Sequence, residues 1–432
     1  MAGPDQEPAD LITQLNNLTA KLSAGNDETA RREALRLSRQ LTTCLEDPVN
    51  IAVDLAFSPF LPTAARIAIE LHLFEYIATA EVPLSSGDLA FLSEAEELLI
   101  IRILRPLAAI GFVKEDGEQR WVATALTKAM ATEEIAAGHR MVGEMIVGAA
   151  IKAPKYLREA GYHCPTDPQN GFMQYAFQTK LNTFQLFSSM PRVFQDFNTF
   201  MGNTMGARSY WVDWFPVRDH LLNGFVKDED SALVVDVGAG KGHDLAAFHS
   251  AYPNQGRLVL QELRSMIENG AVAGLDPAIE LMSYDFFTEQ PVKGARAYFF
   301  HHILHDWPDH ICLQILAQVK AAMKPGYSKL LIHEMLIPEQ GASTFHAMLD
   351  MTMMCFNAGM ERTEKQWRAL LEKAGLKVVK FWLPTQTDAD GIVEAILEEE
   401  TEAILEEKTE AILEEKTEAM LEERTDRSFR PI

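Results

Sequence analysis

The sequence predicts an α/β chain: a Rossmann-like, doubly wound parallel sheet preceded by a mostly helical region. Three observations predict it. The run Leu233 to Val237, LVVDV, is near-continuously apolar, as a strand covered on both faces requires. A glycine turn follows at once, Gly238-Ala239-Gly240-Lys241-Gly242, where backbone can take positive φ and approach a ligand closely. Beyond it, strand-like runs near 233–237, 257–261, 279–283, 296–300, 329–333 and 377–382 alternate with helical stretches. Those helices start near His243, Ser265, His310 and Thr363, the last behind the capping-box sequence Thr363-Glu364-Lys365-Gln366.

Composition narrows the function classes. The chain has 432 residues and a formal charge of −23, so a nucleic-acid partner, which needs clustered Lys and Arg, is disfavoured. Part of the acidity is local, because Val393 to Arg424 holds thirteen acids against three bases. By the sequence reading no apolar run reaches the ~18 residues of a membrane span, and the N-terminus MAGPDQEPAD lacks signal-peptide character. The expectation is a cytosolic protein with no membrane partner. Cys44, Cys164, Cys312 and Cys355 are far apart, with no CxxC pair to suggest a disulfide framework or zinc knuckle.

In chain order, residues 11 to 47 alternate apolar and polar at helical spacing through Leu11, Leu15, Leu18, Leu22, Leu37 and Leu41. From Thr63 the order is helix, helix, helix (63–78, SSGDLAFLS, EAEELLIIRILRPLAAIG), then a two-stranded wing around Asp116-Gly117. That is a winged-helix pattern. Its third helix sets only Arg102 and Arg105 against Glu94, Glu96 and Glu97, so charge favours dimerisation over DNA binding. We expect a dimerisation domain over 1–150, a helical connector with substrate-pocket segments over 151–230, a nucleoside-binding domain over 231–397 and an acidic tail over 398–432.

The tail repeats VEAILEEE, TEAILEEK, TEAILEEK, TEAMLEER at a period of eight. Eight residues rotate the apolar triplet by ~80° each time on a helix, so no straight seam forms and a coiled coil is disfavoured. A solvated helix without catalytic role is expected.

The acid Glu262 stands at the end of the second strand, where it can accept hydrogen bonds from a ribose diol. The turn is neither the GxGxxG of dehydrogenases nor a Walker loop, since Lys241 is followed by Gly242. Tyr284-Asp285-Phe286-Phe287 follows the third strand, placing an acid and an aromatic ring where an adenine can be bonded and covered. His305, in FFHHILHDWPD, falls past a strand's carboxyl end, and its imidazole titrates in the range suited to taking a proton from a hydroxyl. His301, His302 and His305 lack zincin spacing, so no metal is expected.

Taken together, VVDVGAGKG, LVLQEL, YDFF, HHILHDWPD, LLIHEMLIP and GMERTEKQW resemble the class I S-adenosylmethionine-dependent O-methyltransferases of the plant caffeate and fungal secondary-metabolite type. The resemblance covers residues 40 to 397 and implies S-adenosylmethionine as cofactor and a homodimer. By position it makes Gly238, Ala239 and Gly240 the binder of the methionine portion, Glu262 the ribose acceptor, and Asp285 and Phe286 the adenine contacts. His301 falls where plant members carry a lysine beside the cofactor. His305 matches the catalytic base, with Glu334 and Glu361 at the stations of two flanking acids; a carboxylate on the imidazole would fix its tautomer. Ala239 replaces the usual middle glycine, and Glu262 the usual aspartate.

The implied activity is methyl transfer to a hydroxyl of a small aromatic or polyketide-like secondary metabolite. Met348, Met351, Met353, Met354 and Met360, with Phe177, Phe200 and Trp211, are expected to line its apolar pocket. One alternative is a pericyclase that uses the bound cofactor as a fixed cation without methyl loss, with His139 serving the substrate. The lesser alternative is a non-enzymatic winged-helix regulator.

Overall fold

The structure is a computed structural model that describes residues 7–399 apart from 26, 205–209, 229, 269, 271, 273 and 386–388. The expected tail helix therefore lies outside the described residues. The chain divides into two compact units, Met1–Glu144 and Met145–Ile432, and the connector expected over 151–230 falls within the second.

In the first unit, the helix Pro8–Asn17 packs on Glu28–Leu45 and buries Leu11, Ala30 and Leu37 between them. Asp27 caps the second helix by accepting the Ala30 N–H at 2.9 Å. The next stretch corrects the expectation that no apolar run is long enough to span a membrane: Pro48–Glu70 is helical, long and apolar enough by length and composition. It is broken at Ser58-Pro59 into Pro48–Phe57 and Phe60–Glu70, carries Asp54 and Arg66, and exposes Val49, Leu55, Phe57 and Phe60. The single helix expected from Thr63 to Ala78 is also broken. His72 takes a left-handed φ of 53°, and Leu73–Thr79 starts a new axis. The wing forms as expected, with Val113–Glu115 and Arg120–Ala123 paired across Gly117 and Leu84–Ser85 added at the edge. Trp121 is buried beneath it, donating from Nε1 to Ser86 Oγ at 3.0 Å.

The second unit is organised on a seven-stranded sheet. Its strands are β1 (Ala232–Val237), β2 (Arg257–Glu262), β3 (Ile279–Ser283), β4 (Ala297–His301), β5 (Lys329–Glu334), β6 (Lys377–Trp382) and β7 (Gly391–Ile396). The order is β6-β7-β5-β4-β1-β2-β3, and β7 runs opposite to the other six strands. Along β4 the side chains alternate between two cores: Tyr298 and Phe300 pack on one face, Ala297 and Phe299 on the other. That two-sided burial is why the strand reads as an unbroken apolar run.

β7 was missing from the expected elements. Its residues Val393-Glu394-Ala395-Ile396 open the first copy of the octad repeat, yet here they form an interior strand between β5 and β6. Glu394 is fully buried, where it accepts from Lys329 and, at 2.8 Å, from Trp382 Nε1. A helix-forming composition is overridden by pairing on both sides.

The strand order reverses between β1 and β4, so the crevice beyond their carboxyl ends is the switch point where such sheets receive ligands.

Candidate active site

The glycine turn sits at that crevice. Gly238, Gly240 and Gly242 all have positive φ, at 74°, 56° and 78°. At Gly240 a Cβ would meet nothing within 4 Å, so its backbone borders open space. The Gly240 N–H donates to Glu262 Oε1 at 2.9 Å and Leu263 N–H to Oε2 at 2.6 Å, bringing the end of β2 against the turn. Burial raises the Glu262 pKa, and these two amides work against the rise.

Asp236, inside β1, was not singled out from the sequence, although an acid interrupting VVDV is itself a signal. It is buried with both carboxylate oxygens unpartnered among the described residues. Burial, then the Asp244 charge, pushes its pKa well above the usual range. Such a group is stabilised by an incoming cation. Asp285 lies beyond β3 and is exposed, accepting the Phe287 N–H at 3.0 Å. Phe286 is half-buried and comes within 3.9 Å of the point where a Gly238 Cβ would stand.

His305 lies in a 3₁₀ turn, Leu304–Asp306, just past β4. Its Nδ1 is 2.7 Å from Glu361 Oε1, and its Nε2 faces Asp306 Oδ1 at 3.7 Å. All three residues are buried. Burial works against a charged imidazole, but Glu361, Asp306 and Glu334 more than offset it, and the His305 pKa is pushed up to about 10. Asp306 is in turn raised to about 7, chiefly by burial.

The two acids expected beside His305 do different work. Glu361 bonds the ring. Glu334, at the end of β5, reaches the backbone instead: its Oε1 accepts the Leu304 N–H at 2.7 Å and the His305 N–H at 3.1 Å. The turn is held from below by Arg362, which the sequence reading did not single out. Its fully buried guanidinium donates to Leu304 O at 3.1 Å, Trp307 O at 2.9 Å and Asp309 Oδ1 at 2.9 Å. Gly359 closes the cage, since a Cβ there would stand 2.1 Å from His305 O.

His301 is not simply a stand-in for a lysine. Its Nδ1 lies 2.7 Å from Asp244 Oδ2 and its Nε2 3.9 Å from Asp390 Oδ2, so both ring nitrogens face carboxylates. Burial opposes its charge, but Asp244 and Asp390 raise its pKa to about 10. The register of β4 and β5 pairs His301 with His333, and their rings lie 4.1 Å apart. Burial and the His301 charge push His333 down to about 3.

The expected pocket residues do not form one wall. Trp211 is core, stacked 4.9 Å from Phe299 and fully buried. Met353 is buried, while Met348 and Met351 are exposed. An aromatic group beside Trp307 includes Phe184, which the sequence did not flag, 5.9 Å from Trp307 and 5.1 Å from Phe356, with Phe187 and Phe197 behind it. His139 belongs to the first unit, half-buried on Glu133–Met141, with its pKa lowered by burial and then by Arg66.

A glycine turn bonded to a strand-end acid, with a buried imidazole–carboxylate pair at the switch point of the same sheet, is the arrangement of a nucleoside-dependent α/β enzyme. Residues 214–377 match the O-methyltransferase domain family, and residues 53–133 match the O-methyltransferase dimerisation domain. The chain is 51% identical over 391 residues to O-methyltransferase penC of Penicillium thymicola, spanning 90% of this chain and 97% of the relative. It is similar to the solved structure of LepI in complex with SAM, at 28% identity and a TM-score of 0.82, covering 91% of this chain and 100% of that one. A solved structure described as a pericyclic reaction enzyme gives the same identity and TM-score, over 90% of this chain and 100% of that one. The chain belongs to the S-adenosylmethionine-dependent O-methyltransferases that carry a dimerisation domain. It is an O-methyltransferase of the fungal secondary-metabolite type, and its cofactor is S-adenosylmethionine.

The residues fit that cofactor. Asp236 offers a buried carboxyl group with no hydrogen-bond partner among the described residues, Gly240 leaves open space, and Glu262 presents a carboxylate at the turn.

Proposed function

We propose that the acceptor is a hydroxyl on a small aromatic or polyketide-like metabolite and that His305 removes its proton. The observation that carries this reading is the buried His305–Glu361 pair, 2.7 Å between Nδ1 and Oε1, at the sheet's ligand-binding edge. Bound, S-adenosylmethionine supplies a sulfonium methyl activated for displacement by an oxygen nucleophile. Asp236 holds the ammonium of the methionine portion beside the glycine turn. Glu262 accepts from the ribose hydroxyls, and Asp285 and Phe286 bond and cover the adenine.

Glu361 keeps the His305 proton on Nδ1, leaving the Nε2 lone pair for the acceptor hydroxyl, and it stabilises the imidazolium once formed. Glu334 and Arg362 fix the turn that carries His305, so the base stays in place without contacting substrate themselves. Phe184 and Trp307 give the acceptor ring an apolar surface close to His305.

The test is transfer of labelled methyl from the cofactor to a panel of phenolic acceptors. His305→Ala should abolish label in product while cofactor affinity, by calorimetry, stays within threefold; retained transfer sinks the base assignment. The similarity to a pericyclic reaction enzyme favours one second reading, product formed with the cofactor intact. The same assay separates the two, because that route leaves every label on the cofactor.

The proposal includes a homodimer. The exposed Val49, Leu55, Phe57 and Phe60 lie in the unit that matches the dimerisation domain, and a second copy would cover them. Light scattering should give twice the chain mass; a monomer at micromolar concentration refutes it. We also place the enzyme in the cytosol, since all four cysteines are free. Recovery from a secreted or membrane fraction refutes that.

A further inference from the structure

Folding brings together a donor set that the linear spacing of the histidines does not show. Asp390, immediately before β7, joins His301 and His302 at the end of β4, and the three offer ligand atoms that all lie within 4.8 Å of one another. His302 Nε2 is 3.0 Å from Asp390 Oδ1, and His301 Nε2 is 3.9 Å from Asp390 Oδ2. Neither Nε2 makes a hydrogen bond within the described residues, and the His302 side chain is only 6% exposed. Two imidazoles and one carboxylate thus converge on one point at the end of β4, a donor set that a cation can bridge.

Three further features point to a cation. Ligands about 2.0–2.1 Å from one ion are separated by roughly 2.9–3.4 Å in octahedral or tetrahedral geometry; the 3.0 Å between His302 and Asp390 falls in that range, and the 3.9 Å between His301 and Asp390 lies beyond it. Asp244 holds the opposite nitrogen of His301 at 2.7 Å, the arrangement by which an outer carboxylate fixes the tautomer of a ligating histidine and turns its other lone pair toward the metal. His302 is held at a left-handed φ of 53°, which turns its side chain at the end of β4 toward Asp390.

We propose that His301, His302 and Asp390 form a binding site for one divalent transition-metal ion of the zinc class, with Asp244 orienting His301 from behind. Two imidazoles and one carboxylate suit a borderline ion such as Zn²⁺ or Co²⁺, whereas Mg²⁺ and Ca²⁺ take oxygen ligands. The ion ties the carboxyl end of β4 to the start of β7, and through Asp244 the site adjoins the helix that opens after the glycine turn. The assignment is independent of the acceptor and of the reaction at His305.

The experiment uses the untagged full chain, freed of metal by dialysis and titrated with Co²⁺ while visible d–d bands are followed. One Co²⁺ per chain is expected, with four- or five-coordinate intensity, displaced by one equivalent of Zn²⁺. His302→Ala and Asp390→Asn should each weaken binding at least about hundredfold, and Asp244→Asn by about 10- to 100-fold. His333→Ala should leave it within threefold, although His333 and Asp244 also flank His301 on its other side. Circular dichroism checks that each variant is folded. Should a variant unfold, histidine ring NMR of the wild-type chain replaces it: Zn²⁺ should shift two buried histidines and leave the exposed His72 unmoved. Absence of d–d bands, binding that survives both ligand changes in folded protein, loss on His333→Ala alone, or shifts confined to exposed histidines would overturn the proposal.

Discussion

Replacing Glu361 by Gln removes one charge from the imidazole while preserving the volume of the side chain. In the wild-type chain Glu361 Oε1 sits 2.7 Å from His305 Nδ1, and together with Asp306 it lifts the His305 pKa to about 10 against the opposing effect of burial. A base with that pKa is protonated at neutral pH, so kcat/KM should climb with pH up to about 10. In the Gln variant the rising limb should move down toward the ordinary imidazole range near ~6.5. The plateau should fall as well. A Gln amide that donates to Nδ1 forces the proton onto Nε2, the wrong tautomer for a base, and an imidazolium formed there has lost its counter-charge. Loss of a general base costs about 10²- to 10⁴-fold in kcat, or roughly 3–5 kcal/mol in barrier. The assay is label transfer across pH 6 to 10, with cofactor affinity measured in parallel. Stability should shift too. A raised folded pKa contributes stability that is fully present below about 6.5 and lost as pH rises through about 10, so the wild-type advantage in Tm over the variant should shrink across that window. A plateau within threefold of wild type, or a limb that does not move, would refute the reasoning.

The other predictions concern the cage around His305 and the turn. Glu334→Gln keeps the acceptor for the Leu304 and His305 amides and should cost less than tenfold in kcat, whereas Glu334→Ala strands both N–H groups, at about 1–3 kcal/mol each, and should lower kcat and Tm together. Equal losses in the two variants would show that the charge matters and the hydrogen bonds do not. Arg362→Met should destabilise by about 2–4 kcal/mol in denaturant unfolding, because it unpairs two buried carbonyls while the exposed Asp309 returns to water; a change under 1 kcal/mol contradicts the cage. Gly238→Ala must hold a Cβ at φ 74° with Ile303 Cδ1 2.6 Å away, and calorimetry should show at least tenfold weaker cofactor binding. Unchanged affinity would remove the turn from the binding site.

What the sequence determined by itself is local and chemical. Six strands of the sheet, the glycine turn after β1, the wing and the capped helix at Thr363 were legible because burial writes apolar runs and because turns and caps demand particular residues. The resemblance then fixed the family and pointed to His305, Glu361 and Glu262. Tertiary structure decided the rest. β7 was hidden because an interior antiparallel strand took helix-forming residues, and its buried Glu394 reads in sequence as one more acid of a charged repeat. The division of labour between Glu361 on the ring and Glu334 on the backbone was equally invisible, since both are acids at neighbouring stations and only distance separates their roles. His333 meets His301 through parallel register, and Asp390 meets His302 across the sheet. Contacts between residues far apart in the chain depend on how strands align, and no local pattern of residue types records that alignment.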